Sequence, residues 1–469
     1  MRRRQAMPPI KRLPESLGPG AITSLSSRGY GILKESIADK RTLDGIRAFL
    51  TVAPQTNPMA LSAAPPKSFP VFRESRSKIY IPKYIGLSAY GVPPSDNTGT
   101  GDPLACAFGG RLRDAQAAPV NAFLQAATDP RKRGGIINMA CAAGKTVMAI
   151  YAACDLGRKT LVIVNKEFLA RQWQERIEEF APGARVGRVQ GTVFDVDDRD
   201  FVIAMVQTLS VREFDKDAFE SFGTVIADEC HHMSAEVFSR ALHRVNFRYA
   251  MGLSATLQRS DGLSHVFQWF IGGVVYKTKR PKEAVEVILA DFYSDDPVYK
   301  QEIYMFGNKI NIARMISNVC SLEARTDFVA RSVVESLADR IGSKVLVLSE
   351  RRIHLADLRD AILRIDPGIT AGFYVGGMKQ EDLKASEGKQ VILGTFTMAA
   401  EGMDIPALDT LVLASPKSRI EQPVGRILRV KPDERSRLPR VIDIRDGFSV
   451  FKAQAAKRER YYSQCGYTV

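Results

Sequence analysis

The chain has 469 residues, 45% hydrophobic and 25% charged, ordinary values for globular protein and enough length for two or three domains with cores of their own. Its net charge of +14 is uneven, with 15 Lys and Arg against 7 Asp and Glu in residues 1–105. That excess predicts a polyanionic partner, nucleic acid before membrane, because no basic amphipathic helix or lipidation signal accompanies it; a basic solvated face has the same composition.

The six cysteines (Cys106, Cys141, Cys154, Cys230, Cys320, Cys465) are scattered, with neither C-x-x-C spacing nor a histidine cluster to complete a zinc pattern. They predict reduced, mostly buried thiols in a cytosolic-type compartment. Met1-Arg2-Arg3-Arg4 has the charge of a signal n-region but no apolar stretch behind it, and no run approaches transmembrane length. The expectation is a soluble, cytoplasmic protein with no membrane partner.

Residues 1–103 read as a small basic α+β module. Leu43–Leu50 suits a short helix, Pro54–Pro66 a linker, and Lys78 to Ile85 alternates like a strand. Its interleaved Arg73, Arg76, Lys78, Tyr80, Lys83 and Tyr84 could track a phosphate backbone and stack on bases; an edge strand with Lys and Tyr on its open face reads the same way.

From residue 104 the pattern changes to apolar strands alternating with amphipathic helices, the signature of a parallel α/β sheet. Ile136-Ile137 leads into Met139-Ala140-Cys141-Ala142-Ala143-Gly144-Lys145-Thr146, and a helical pattern leaves it. Strand, tight loop and helix form a phosphate cradle: backbone N–H groups surround the phosphates, Lys145 reaches the β/γ oxygens and the Thr146 hydroxyl can ligate Mg²⁺. Met139 stands where the first glycine of G-x-x-x-x-G-K-[ST] belongs, and Ala142 where many such loops have another. Gly-Lys-Thr alone recurs by chance, so the motifs downstream of it decide whether the loop binds nucleotide.

Strand 160–164 and helix 167–180 come next, then strand 201–206 running into Gln207-Thr208. Strand 224–227 ends in Asp228-Glu229-Cys230-His231-His232, and strand 249–253 carries Ser254-Ala255-Thr256. In open α/β sheets ligands sit beyond the carboxyl ends of the strands, so these clusters converge on one crevice. Phosphoryl transfer to water needs Mg²⁺ on the β/γ oxygens and a carboxylate that activates the water. Asp228 with Thr146 suits the first task and Glu229 the second; the bland alternative is a capped strand end. Adjacent His231 and His232 rarely ligate one ion, so a coupling role suits one of them better than zinc.

A second α/β block spans 286–469, with strands 344–349, 391–395, 410–414 and 440–444 and a charged helix near 449–462. Arg426 and Arg429, at i and i+3, predict one helix face shared with Gln422, suited to a γ-phosphate if the block closes over the first; surface arginines on an amphipathic helix are the alternative.

Taken in order, the P-loop, Asp228-Glu229-Cys230-His231, Ser254-Ala255-Thr256 and Gln422-x-x-Gly425-Arg426-x-x-Arg429 resemble superfamily 2 DExH helicases. Leu112-Arg113-x-x-Gln116, Gly252 to Thr256 with Arg259 and Asp261-Gly262, and Glu401-Gly402-x-Asp404-Ile405-Pro406 are similar to the XPB-type branch, most of all to versions carried by large DNA viruses and phages. The resemblance implies a fold of two tandem RecA-like parallel-sheet lobes of P-loop NTPase type, 104–285 and 286–469, preceded by the α+β module.

It also implies roles. Gln116, with Arg113, reads adenine; Gly144, Lys145 and Thr146 hold phosphates and Mg²⁺; Asp228 holds Mg²⁺ through water; Glu229 is the catalytic base. Ser254 and Thr256 couple hydrolysis to motion, Gly402 and Asp404 lie near the ribose, and Gln422, Arg426 and Arg429 reach the γ-phosphate. Gln207, Thr208 and Thr395 contact the nucleic-acid backbone. The implied activity is an ATP-dependent DNA helicase or double-strand translocase. DNA, single- or double-stranded, would be its track, transcription, replication or repair proteins its further partners, and host cytoplasm or virion its place if the source is viral. An RNA helicase and a non-unwinding remodelling or scaffold subunit are the alternatives. Residues 1–105 hold no convincing metal-nuclease carboxylate cluster, which disfavours the motor of a restriction-type nuclease.

Overall fold

The computed structural model describes residues 12–55, 66–139, 143–230, 233–255, 259, 261–278, 283–305, 309–401, 403, 405–430 and 432–469. The chain forms two compact units, Met1–Lys279 and Arg280–Val469.

Among the described residues the first unit holds two main sheets, besides a two-stranded pairing of Thr51–Val52 with Phe69–Pro70. The smaller has the order Arg73–Glu74, Lys78–Ile81, Gly29–Leu33, Thr23–Ser26, Ser95–Asp96. Helix Lys40–Phe49 is capped by Asp39, whose side chain accepts the Thr42 N–H at 2.7 Å. The alternation expected to run through Ile85 stops at Ile81, and helix Lys83–Tyr90 follows. Pro82 explains the difference: it cannot donate to the ladder, and its φ of −53° suits the start of a helix. This sheet is fastened to the larger one. Tyr84 donates its hydroxyl to the Arg133 carbonyl at 3.0 Å, Arg73 a guanidinium N–H to the His243 carbonyl at 3.0 Å, and the Gln55 N–H meets the Asp261 carbonyl at 2.8 Å.

The larger sheet has eight strands, in the order Val193–Asp195, Val186–Gln190, Phe201–Met205, Thr160–Val164, Thr224–Ala227, Tyr249–Ser254, Gly134–Asn138, Val274–Lys277. All pairings are parallel except that of Val193–Asp195. Continuous apolar runs such as Thr160-Leu161-Val162-Ile163-Val164 are buried along their whole length, as parallel strands covered on both faces must be. Tyr249–Ser254 lies between the strand that opens the P-loop and the strand that ends at Asp228. Ser254 pairs in register with Asn138, and Ala227 with Gly252, so three polar strand ends lie side by side.

Among the described residues the second unit has, besides an antiparallel pairing of Tyr304–Met305 with Lys309–Ile310, an all-parallel main sheet in the order Glu286–Phe292, Arg440–Asp446, Thr410–Leu413, Val345–Ser349, Val391–Thr395, Ala371–Tyr374. Helices Ile312–Ser321 and Glu323–Asp339, which the sequence reading did not place, pack beside it. Two buried ion pairs anchor its helices. Arg325 grips Asp446 through two bonds of 2.8 Å and gives a third N–H to the Ala414 carbonyl. Arg458, on helix Ser449–Cys465, meets Asp443 at 2.9 Å and the Lys417 carbonyl at 2.6 Å, and the Tyr462 hydroxyl joins Asp443.

Among the described residues the cysteines are free thiols, Cys230 and Cys320 buried and Cys106, Cys154 and Cys465 half-buried. Among those residues no helix is long and apolar enough to cross a membrane.

Candidate nucleotide site

Helix Lys145–Leu156 starts at Gly144, whose φ of 76° and ψ of 34° are left-handed, a conformation glycine adopts without a Cβ penalty. A Cβ there would stand 2.2 Å from Gln116 Nε2 and 2.6 Å from an Arg113 guanidinium nitrogen, so the tips of those two side chains would have to move. Gln116 is buried and clasps the loop. Its amide N–H groups reach the Ala143 and Gly144 carbonyls at 3.2 and 3.3 Å, and its oxygen accepts the Arg113 N–H at 2.9 Å. The residue expected to read adenine thus has its amide on the loop itself. Gly144→Ala is expected to cost about 1–2 kcal/mol in backbone strain alone and to weaken nucleotide affinity roughly tenfold or more, read by titration with a fluorescent ATP analogue.

Lys145 is buried between the two motifs, its Nζ 3.2 Å from the Met139 carbonyl and 3.3 Å from Glu229 Oε1. Thr146 follows, half-buried, in the first turn. Asp228 is buried at the end of its strand and accepts the Trp173 indole N–H at 2.8 Å and the Glu229 N–H at 2.9 Å. Burial, and then the neighbouring Glu229, push the Asp228 carboxyl up to about 6, against the indole and Lys145. Glu229 has a φ of 45°, rare for a non-glycine residue and frequent where side chains are aimed at a site. The Asp228 carboxylate and the Thr146 hydroxyl are hard oxygen donors of the kind Mg²⁺ takes, and a buried carboxyl disfavoured as an anion gains from a cation beside it, so this donor set fits that ion.

Ser254 is fully buried, and its carbonyl accepts the Asn138 side chain at 3.2 Å and the Met139 N–H at 3.1 Å, tying its strand to the P-loop. Beyond it Arg259 pairs with Asp261 and donates to the Met233 carbonyl at 2.5 Å, bridging the segments that follow Ser254 and Glu229. Thr256, His231 and His232 lie outside the described residues. Gln207 is exposed and donates to the Asn165 carbonyl at 2.9 Å. Thr208 is buried with its hydroxyl on the Gly191 N–H at 3.0 Å, so of this pair only Gln207 stands open to solvent.

In the second unit Thr395 ends its strand half-buried, and Gln422 is half-buried on helix Glu421–Arg426. Arg429 falls beyond the end of that helix, so the expected shared face does not form. The two arginines converge by another route: Arg426 donates to the Ala399 carbonyl and, at 2.8 Å, to the Met403 carbonyl, which Arg429 also reaches at 3.3 Å. Gly402 and Asp404, which flank Met403, lie outside the described residues.

Sequence reasoning missed Trp173 as the partner of Asp228. A tryptophan in an amphipathic helix reads as core, and only the sheet order brings it to the end of strand 224–227.

Comparison with known proteins accords with this geometry. Residues 110–259 match the family model described as Type III restriction enzyme, res subunit. A protein of Acanthamoeba polyphaga mimivirus, provisionally named an ATP-dependent RNA helicase, is 33% identical over 95% of this chain and 86% of its own. A protein of Invertebrate iridescent virus 6, provisionally named a helicase, is 28% identical over 77% of this chain and 83% of its own. One from Escherichia phage T5, also named as a helicase, is 27% identical over 63% of this chain and 64% of its own. The chain belongs to the superfamily 2 helicases, nucleic-acid-binding enzymes that hydrolyse ATP and are stimulated by the polymer they bind.

Proposed function

We propose that this helicase is an ATP-dependent DNA helicase or double-strand translocase of the XPB-type DExH branch. The single observation that carries the reading is Lys145 within 3.3 Å of Glu229, a phosphate-binding cation and a base meeting where three strand ends lie together. Its organisation is a basic module (1–103) and two RecA-like lobes (104–285 and 286–469).

Lys145 and the N–H groups that open its helix hold the β- and γ-phosphates. Thr146 and Asp228 would hold Mg²⁺, which supplies neutralising charge to the β/γ oxygens. Glu229 accepts the proton of the attacking water as its oxygen bonds to the γ-phosphorus and the bond to the β-γ bridging oxygen breaks. Gln116 and Arg113 form the adenine side, and Gly402 and Asp404 the ribose side. Gln422, Arg426 and Arg429 act on the γ-phosphate; for Arg426 and Arg429 this means releasing carbonyls they hold now. Ser254 and Thr256 couple hydrolysis to motion, helped by Arg259, which joins the two segments through the Met233 carbonyl. Gln207, Thr208 and Thr395 meet the nucleic-acid backbone, Thr208 after giving up Gly191. Transcription, replication or repair proteins are the further partners, and the cytoplasm, or a virion, the setting.

The test is steady-state ATPase with no polymer, duplex DNA, single-stranded DNA and RNA, at low and moderate salt. Strong stimulation by DNA that falls with salt is expected, since phosphate contacts dominate such binding. Turnover indifferent to DNA would overturn the reading. The name of the mimivirus relative favours an RNA track as the second reading; matched DNA and RNA oligonucleotides decide between them.

A further inference from the structure

In the second unit, the segment before helix Glu421–Arg426 meets the outer face of helix Ser449–Cys465 along a shallow groove of about 280 Å³. Arg419, Glu421, Lys457, Arg460, Tyr461 and Gln464 line it. Lys457, Arg460 and Gln464 are spaced i, i+3 and i+7, which sets them in one row along the helix. Three cations against one carboxylate make the groove strongly basic.

The neighbouring carboxylates are committed elsewhere. Glu459 pairs with Arg445, Glu350 with Lys417 and Asp443 with Arg458. Among the described residues no carboxylate pairs with Arg419, Lys457 or Arg460; Arg460 gives only its Nε–H, to the Ala456 carbonyl at 3.2 Å. The groove is also braced from behind. Buried Arg458 bonds Asp443 on the sheet and the Lys417 carbonyl on the segment that carries Arg419, which fixes the two walls against each other. Tyr461 is held edge-on against Tyr467, with ring centroids 5.9 Å apart.

We propose that this groove is a binding site for the phosphodiester backbone of nucleic acid, independent of base sequence. Uncompensated cations on a braced scaffold, with an aromatic edge and an amide beside them, suit a chain of phosphates and sugars. A polyanion is also what a helicase carries along its surface. The inference rests on the nucleic-acid motor reading above.

The test is the salt dependence of binding by the full chain, wild type and R419Q/K457Q/R460Q, to fluorescent DNA and RNA oligonucleotides. R331Q/K384Q/K389Q, which removes the same charge from exposed positions elsewhere in the unit, is the control, and thermal midpoints check that each variant is folded. Each lost phosphate contact lowers the log–log salt slope by about 0.7–0.9, so the groove variant is expected to lose about 2 units and the control far less. An equal loss in both variants, or an unchanged slope in the groove variant, overturns the groove while leaving the motor reading intact. Loss of polyglutamate binding with an unchanged nucleic-acid slope reassigns the groove to an acidic protein segment and overturns the proposal. A wild type that binds neither DNA nor RNA overturns the motor reading and the groove together.

Discussion

Glu229→Gln is expected to lower ATP turnover by about 10²–10⁴-fold, the range set by removing a general base. The substitution is nearly isosteric, so the contact with Lys145 at 3.3 Å loses its charge but not its shape. Asp228 loses a like charge and keeps the Trp173 and Glu229 N–H bonds, which do not involve the altered group. Nucleotide affinity should therefore survive while turnover falls with every polymer, a split between binding and chemistry that a folding defect would not give. Single-turnover hydrolysis beside equilibrium titration of an ATP analogue measures both. A mutant that hydrolyses at the wild-type rate would remove Glu229 from the chemistry and leave it as the partner of a structural lysine.

The second large effect is on stability. Arg325 and Asp446 are both fully buried, and each satisfies the other through a two-pronged contact that Tyr299 and the Ala414 carbonyl complete. Arg325→Met would leave the Asp446 carboxylate in an apolar interior with only the tyrosine hydroxyl, a change that costs about 3–5 kcal/mol. The double replacement Arg325→Met with Asp446→Leu should recover much of the loss, because it removes both charges rather than stranding one. Hydrogen exchange is the suitable measurement, since Trp173 and Trp269 both lie in the first unit and tryptophan emission would report the wrong sheet. Amides of 323–339 and 440–446 should exchange faster in the single variant and more slowly again in the double one.

These buried pairs also mark where sequence reading fell short. The strands with continuous apolar runs (Thr160–Val164, Val345–Ser349, Val391–Thr395) were legible because burial on both faces leaves no polar residue to blur the signal. The motif residues at their ends were legible because phosphate chemistry demands particular residue types at fixed spacing. Arg325 and Asp446 are 121 residues apart, and nothing local distinguishes them from surface charges. Strands Thr23–Ser26 and Gly29–Leu33 were missed because they are short and rich in Ser and Gly, and are held by their neighbours rather than by their own pattern. The alternation that predicts a strand through Lys83 and Tyr84 is broken at Pro82, where the chain turns into a helix.

The order of the second sheet has a consequence for biosynthesis. Its first strand, Glu286–Phe292, pairs with its last, Arg440–Asp446, and that last strand separates it from every other member of the sheet. While the ribosome is still adding the 400s, the first strand has no neighbour to bond with, and Arg325 waits without its counter-ion. The unit at the amino end meets no such delay, because its eight-stranded sheet is complete by Lys277. One lobe can therefore mature during translation and the other only after about 170 more residues have been added, some ten to thirty seconds at ordinary elongation rates. Through that interval the half-made lobe exposes apolar surface and an unpaired strand edge, the features that make partly folded chains prone to aggregate.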